Sequence, residues 1–326
     1  MTVAQAINQA LDEAMSVDER VILMGEDIGE PGGIAGFTAG LWDKHGADRV
    51  LDTPISEAAI VGAAIGASMD GLIPVAEIMI MDFIGIALDQ IVNHAAKLRY
   101  MSAGRTTCPI TVRTMVFSGL GTGATHSQTL ESWFMHIPGL KLIVPSTPAD
   151  AKGLMTAAIF DPDPCVFVET MITSGRSGPV PVAPGYMVPI GKADIKRAGS
   201  DVTVITYGRD VFDALDAAEA LKDEGIDVEV LDLRTLLPLD LPTILESVGR
   251  TKRAVVVHQA TQFAGPGAEV AAAIHHELFG ELAAPVERVG APFAPIPAPQ
   301  HLYELYAPNP NRIADAVRTA MGASRG

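Results

Sequence analysis

Two clusters of polar side chains in this 326-residue chain have the types and the setting for chemistry. The first is the run Asp52-Thr53-Pro54-Ile55-Ser56-Glu57, where a short apolar strand ends and a helix begins. In open parallel sheets, ligands collect beyond the carboxyl ends of the strands. Ser56 suits the N-cap, which puts Glu57 in the first helical turn. Two readings of Glu57 stand side by side: a carboxylate that complements the helix dipole, or an acid–base group facing a ligand. The second cluster is Ala124-Thr125-His126-Ser127-Gln128, straight after the Gly-rich stretch 118–124. Polar groups on a loop above a rigid sheet are where catalysis tends to sit. His126 is either an acid–base residue there or a side chain that satisfies loop backbone groups.

Other chemistries lack their residues. No G-x-x-x-x-G-K-[ST] loop is present, and the G-L-G-T-G run at 119–123 has the wrong spacing for a dinucleotide fingerprint. No C-x-x-C or H-E-x-x-H occurs, which argues against a zinc site. His275 and His276 are neighbours on a helix, point in different directions and read as a solvated face. Cys108 and Cys165 are too few for a disulfide scaffold, and their apolar surroundings predict buried thiols. A formal net charge of -16 without any basic run argues against a nucleic-acid surface. No uncharged apolar run reaches membrane-spanning length, since the stretch 77–87 is broken by Asp82. Residues 1–12 lack the pattern of a signal peptide, so the expected address is the cytoplasm with no membrane partner.

The two clusters need a frame, and the hydrophobic pattern supplies one. Val3, Ile7, Leu11 and Met15 predict a helix over 2–17. Short apolar strands follow at 21–24 and 49–52. A helix rich in small residues is expected over 56–69, strand-like runs at 73–80 and 110–114, and helical periodicity over 84–100. Residues 142–168 read as strand, turn, helix, strand. Residues 171–189, rich in Gly, Ser and Pro, predict a linker. The pattern then restarts: strands at 202–207, 227–232, 253–257 and 286–289, with helices at 211–223, 240–248, 267–278 and 311–321. Residues 291–299, with four prolines, read as irregular. Strands alternating with helices predict an α/β fold of two parallel-sheet, three-layer domains. The expected division is 1–170, a linker at 171–190, and 191–326.

These residues also sit within a longer resemblance. From about residue 2 to residue 321 the chain resembles the β chain of the thiamine-diphosphate-dependent 2-oxo acid dehydrogenases, the decarboxylating component. The stretches that carry it are Leu23-Met24-Gly25-Glu26-Asp27, Asp52-Thr53-Pro54-Ile55-Ser56-Glu57, Leu88-Asp89-Gln90-Ile91, His126-Ser127-Gln128, Pro138-Gly139-Leu140-Lys141, Asp150-Ala151-Lys152-Gly153-Leu154 and Leu231-Asp232-Leu233-Arg234-Thr235-Leu236. Asp82-Phe83, Arg113-Thr114-Met115-Val116 and the run N-H-A-A-K-L-R-Y-M at 93–101 resemble the acetoin dehydrogenase branch more than the pyruvate branch.

The resemblance implies an N-terminal pyrimidine-binding domain and a transketolase C-terminal-like domain. It implies that Glu57 hydrogen-bonds a pyrimidine nitrogen of thiamine diphosphate, that Phe83 stacks on the ring, and that Ile55 is an apolar contact beside it. His126 matches a histidine that contacts the substrate-derived intermediate. A potassium site is implied at Ile110, Ala158, Ile159, Asp161 and Asp163. The family's G-D-G motif for the diphosphate and Mg²⁺ does not occur in this chain, so an α chain is expected to supply that half. An α2β2 assembly, a second β chain, a lipoyl acyltransferase component and a small-molecule substrate are the implied partners. Three positions depart from the family pattern. Gln259 follows His258 where many members have Glu, Phe293-Ala294-Pro295 stands for the usual Asp-Thr-Pro, and Ile86 stands where pyruvate-type members often carry a polar residue. The alternative reading is one subunit of a split transketolase, a ketol transferase; the loop 118–126 carries no arginine for a sugar phosphate, which disfavours it. A non-catalytic protein that kept the fold is a third possibility, disfavoured by the presence of Glu57.

Overall fold

A computed structural model describes residues 1–322 as two compact units. The first comprises residues 1–118 and 133–190. It opens with α1 (Val3–Val17), whose start is fixed by a capping box: the Thr2 hydroxyl accepts from the Gln5 amide, and the Gln5 side chain accepts from the Thr2 amide. The expected stripe of Val3, Ile7, Leu11 and Met15 is buried. There follow β1 (Val21–Gly25), α2 (Leu41–His45), β2 (Val50–Asp52), α3 (Glu57–Met69), β3 (Ile73–Ile78), α4 (Ala96–Met101), β4 (Thr111–Val116), α5 (Glu131–Met135), β5 (Lys141–Ile143), α6 (Pro148–Ile159) and β6 (Cys165–Thr170). The strands of this unit lie in the order β5-β6-β4-β3-β1-β2, every pairing parallel. Helices α1 and α6 pack together over one face, with Leu11, Met15, Leu154, Met155 and Phe167 in one apolar cluster. Helix α3 packs on β1 and β3 outside that cluster.

The second unit takes in residues 119–132 and 191 onward. Its elements are β7 (Asp194–Arg197), β8 (Val202–Thr206), α7 (Asp210–Lys222), β9 (Val228–Asp232), β10 (Thr235–Leu237), α8 (Leu241–Thr251), β11 (Ala254–Thr261), α9 (Pro266–Glu277), β12 (Glu287–Ala291), α10 (Gln300–Tyr306) and α11 (Pro310–Ala320). A five-stranded sheet runs β12-β11-β8-β9-β7, parallel except for the antiparallel edge strand β7. Ala214, Ala217 and Ala218 of α7 and Ile313 and Val317 of α11 bury one face of it.

The structure differs from the sequence expectation in three places. The periodicity over 84–100 is realised as three ladders: a 3₁₀ turn at Met81–Ala87, a π-helical turn at Gln90–Ala95, then α4. Side-chain spacing announces a helix without choosing its hydrogen-bond step. The segment 171–190, expected as a linker, lies with the first unit. The amides of Val3 and Ala4 donate to Arg176 and Ser174 carbonyls, and the Val188 amide donates to Gly153. Gly153 is required there, because a β-carbon would meet Val188 at 2.5 Å. The loop 119–132, expected inside the first domain, groups with the second unit.

A buried ion cluster holds the middle of the first sheet. Arg113 on β4, 1% exposed, donates to Glu77 on β3 at 2.6 Å and to Glu169 on β6 at 2.7 and 2.9 Å. Its guanidinium carbon lies 5.2 Å from the centre of the Phe37 ring. Burial pushes the Glu77 carboxyl up to about 6, with Arg113 pulling against it, and raises Glu169 for the same reason. Arg113→Met would leave two buried carboxyls without their cation. It is expected to cost roughly 3–5 kcal/mol in urea unfolding. The triple variant Arg113→Met/Glu77→Gln/Glu169→Gln should recover most of that loss. A cost for the single variant in the range of a surface pair, below about 1 kcal/mol, would contradict this role.

Candidate active site

Glu57 is the first residue of α3 and is 6% exposed. Ser56 occupies the N-cap position, but its side chain makes no capping bond. The helix start is set instead by the chain leaving β2 through Thr53, whose amide donates to the Gly25 carbonyl at the end of β1. Among the described residues the Glu57 carboxyl takes no hydrogen bond, so its acceptor atoms are committed to nothing within the chain. Glu26, the residue after β1, stands close enough to interact with it. Burial, then Glu57, then Asp27 hold the Glu26 carboxyl above its ordinary range. Glu26 is not among the site residues expected from the sequence; its place at a strand end, like that of Asp52, was the available signal. Gly25 is required before it, because a β-carbon there would meet Glu77 at 2.9 Å.

Ile55 is 81% exposed, an unusual placement for an isoleucine held in a defined turn. Helix α3 packs against the turn Met81–Ala87, which carries half-buried Phe83 and exposed Ile86. The first unit thus carries Glu57 at the start of α3, Ile55 two residues before it, Glu26 within electrostatic reach of it, and Phe83 on the turn that α3 packs against.

His126 stands on the loop of the second unit. Thr125 Oγ1 lies 3.0 Å from His126 Nδ1, and Thr122 Oγ1 donates to the His126 carbonyl at 3.0 Å. Thr122 Oγ1 also lies 2.6 Å from Ser127 Oγ. The loop is thus braced from within, and Gly121 and Gly123 keep it close to Ala298.

Ile110, Ala158 and Ile159 are buried, and their carbonyls border a turn at 161–163. The Ile110 carbonyl accepts from the Cys165 amide at 3.0 Å and Ala158 from Asp161 at 3.2 Å. Lys141 binds both oxygens of Asp161 at 2.5 and 2.6 Å, and Arg99 binds Asp163. The two aspartates thus already carry basic partners.

Two of the sequence departures have physical explanations. Gln259 on β11 donates its amide to Asp210 at the start of α7, and its carbonyl accepts from Tyr303 at 2.9 Å. Burial pushes the Asp210 carboxyl up to about 7 despite Arg209. A glutamate at 259 would set a second carboxyl against it. At Ala294 the contact runs through the backbone: its carbonyl accepts from Tyr306 at 3.0 Å. His258 is fully buried, donates from Nδ1 to the Ala260 carbonyl, and is packed against Gly265, Gly267 and Gly290. Burial lowers it to about 4, so it stays neutral and serves packing.

Two domain families match the chain. The transketolase pyrimidine-binding domain covers residues 1–173, and the transketolase C-terminal domain covers 191–313. The chain is 47% identical to the acetoin:2,6-dichlorophenolindophenol oxidoreductase subunit beta of Cupriavidus necator, over 98% of this chain and 97% of that protein. It is 46% identical to the mitochondrial pyruvate dehydrogenase E1 component subunit beta of Pisum sativum, over 99% of this chain and 90% of that one. It is 44% identical to the 2-oxoisovalerate dehydrogenase subunit beta of Bacillus subtilis, over 98% of each. Among solved structures, a split-gene transketolase described as an inactive beta4 tetramer superposes with a TM-score of 0.80 at 23% identity, covering 100% of this chain and 99% of that one. At that identity the likeness concerns the fold alone.

The Gln259–Asp210 pairing makes a pH-dependent prediction. A carboxyl whose folded-state pKa is raised costs stability as pH climbs from its unfolded value through its folded one. Gln259→Glu adds a second such group, so its melting temperature should fall below wild type by more at about pH 8.5 than at about pH 5.5. Adding Asp210→Asn should shrink the gap. A deficit independent of pH would refute the pairing's role.

Proposed function

The chain belongs to the family of transketolase-like β subunits of acetoin and 2-oxo acid dehydrogenases, and on that premise we propose that its first unit supplies the pyrimidine-binding half of a thiamine diphosphate site. The observation that carries this reading is Glu57: a buried carboxyl in the first turn of α3, without a hydrogen-bond partner among the described residues. Exposed Ile55 and half-buried Phe83 beside it fit the flat, partly apolar end of that cofactor. Thiamine diphosphate, when bound, supplies a carbon acid that forms a nucleophile and an electron sink.

The chain's own residues then have distinct tasks. Glu57 holds a proton shared with a ring nitrogen of the pyrimidine, which requires a carboxylate kept from competing donors. Phe83 covers a ring face and excludes water from it. Ile55 gives the ring an apolar edge. Glu26 stands within electrostatic reach of Glu57, and burial, then Glu57, hold its own carboxyl above the ordinary range. His126 serves as the proton donor or acceptor for the substrate-derived group, oriented through its Nδ1 by Thr125. The substrate is acetoin or a 2-oxo acid, and the acyl unit leaves to a lipoyl disulfide on an acyltransferase component.

The diphosphate and its Mg²⁺ belong to an α chain, since this sequence has no G-D-G. An α2β2 assembly with a second β chain follows from the same reading. A potassium ion at Ile110, Ala158, Ile159, Asp161 and Asp163 would be held mainly through backbone carbonyls, with Lys141 and Arg99 displaced from the aspartates or retained as neighbours. No helix among the described residues is long and apolar enough to cross a membrane, and the cytoplasm is the proposed address. Relatives at 44–47% identity favour the dehydrogenase reading over the split-transketolase one, whose structural counterpart stands at 23%.

Reconstitution tests this reading. The chain, co-expressed with its α chain and given thiamine diphosphate and Mg²⁺, should reduce a dye with acetoin or one of the 2-oxo acids. Glu57→Gln should lower kcat at least ~10²-fold, the scale of a lost proton-transfer group. Phe83→Ala should raise the cofactor concentration needed for half activity. Full activity of the Glu57→Gln chain, or silence with every substrate from a well-formed pair, would overturn it.

A further inference from the structure

The second unit contains a buried polar cluster that the proposed chemistry does not use. Glu131 opens α5, directly after the loop that carries His126, and is 3% exposed. Tyr207 follows β8 and is 5% exposed; Asp210 opens α7 and is 1% exposed. Glu131 Oε2, the Tyr207 hydroxyl and Asp210 Oδ2 are all buried without a hydrogen-bond partner among the described residues. Both carboxyls act electrostatically on Tyr207, and Glu131 acts on Asp210. Three orphan polar atoms from three elements, within electrostatic reach of one another, are uncommon in a folded interior. Each is costly unless protons or water join them.

The charges around the cluster are unevenly distributed. Arg209 reaches Asp213 at 3.2 Å, lies 3.9 Å from Asp210 and donates to the Tyr303 hydroxyl. Gln259 donates to Asp210, and Arg312 senses it electrostatically. Among the described residues Glu131 pairs with no cation; its own backbone amide bonds the carboxyl, and the group acts electrostatically on Tyr207 and Asp210. We propose that Glu131 is a positioning residue: its carboxyl, buried within electrostatic reach of Tyr207 and Asp210, anchors the end of the 119–132 loop within the second unit and so sets where His126 stands.

Proton count decides whether this anchor holds. A neutral Glu131 offers one O–H donor and an acceptor, Tyr207 offers one of each, and Asp210 Oδ2 accepts. With both acids ionised, a single phenolic O–H is left among mutually repelling carboxylates. Burial raises Glu131 to about 7, so it is neutral in mild acid and ionises as pH rises past that value. The anchor is therefore firm below neutral pH and loosens above it. Residues 119–130 carry no buried Asp, Glu, Lys or Arg, so Glu131 is the buried acid next to the loop.

The anchor can be tested apart from catalysis, although its effect on turnover rests on the reading of His126 above. Hydrogen exchange of peptides spanning 119–132 is followed in the full chain at about pH 6 and about pH 8.5, with Glu131→Gln at the same pH correcting for the intrinsic chemical rate. Wild type should match Glu131→Gln near pH 6 and exchange at least ~5-fold faster near pH 8.5. Equal exchange at both pH values would overturn the proposal. Should Glu131→Gln fail to fold, Tyr207→Phe serves: loop exchange should rise already near pH 6, and no rise would overturn the proposal. In the reconstituted pair, the ratio of kcat near pH 8.5 to kcat near pH 6 should be severalfold lower in wild type than in Glu131→Gln. A pH-responsive loop with no turnover on any substrate would sink the dehydrogenase reading and leave the anchor standing.

Discussion

Arg113 can be buried at the centre of the first sheet only if Glu77 and Glu169 come with it, and the site depends on that constraint. A guanidinium 1% exposed cannot stand without counter-charges. Its three bonds tie β3, β4 and β6 near their carboxyl ends. Glu77, fixed from one side by Arg113, crowds Gly25 from the other and so fixes how β1 ends. The chain leaving β1 carries Glu26, and the Gly25 carbonyl receives the Thr53 amide that leads to Glu57. A charge cluster in the interior thereby sets the position of a carboxyl at the surface of the sheet. Replacing the cluster with apolar residues of similar volume would keep a core, but it would release the strand ends from this register.

The chain uses its buried acids in two ways. Near β1 and α3, Glu26 and Glu57 lie within electrostatic reach of each other at strand ends, where ligands collect. In the second unit, Glu131 and Asp210 are more deeply buried, lie near Tyr207 and are pushed to about 7. Gln259, rather than a second acid, satisfies Asp210, which relieves part of the burden there. Burial thus raises Glu26 in one unit and Glu131 and Asp210 in the other.

Much of this was legible in the sequence. The spacing of Val3, Ile7, Leu11 and Met15 located α1, and the Asp52-to-Glu57 run located a strand end and a helix start, with Glu57 in its first turn. Strand β7 was not legible, because Asp194-Ile195-Lys196-Arg197 is a charged edge strand with one apolar residue. The Arg113 cluster was invisible because its partners lie 36 and 56 residues away, and a lone arginine in an apolar strand reads as an interruption. The allegiance of the 119–132 loop to the second unit was equally hidden. That grouping rests on contacts distant in sequence, which no local pattern encodes.

The central claim is that this chain provides half of a thiamine diphosphate site, the half built around Glu57. Calorimetric titration of thiamine diphosphate with Mg²⁺ into this chain alone, into the α chain alone, and into the assembled pair tests it most directly. The account predicts saturable heat from the pair, none of comparable affinity from either chain alone, and a clear weakening when the pair contains Phe83→Ala. Binding to this chain alone with the affinity of the pair would contradict it.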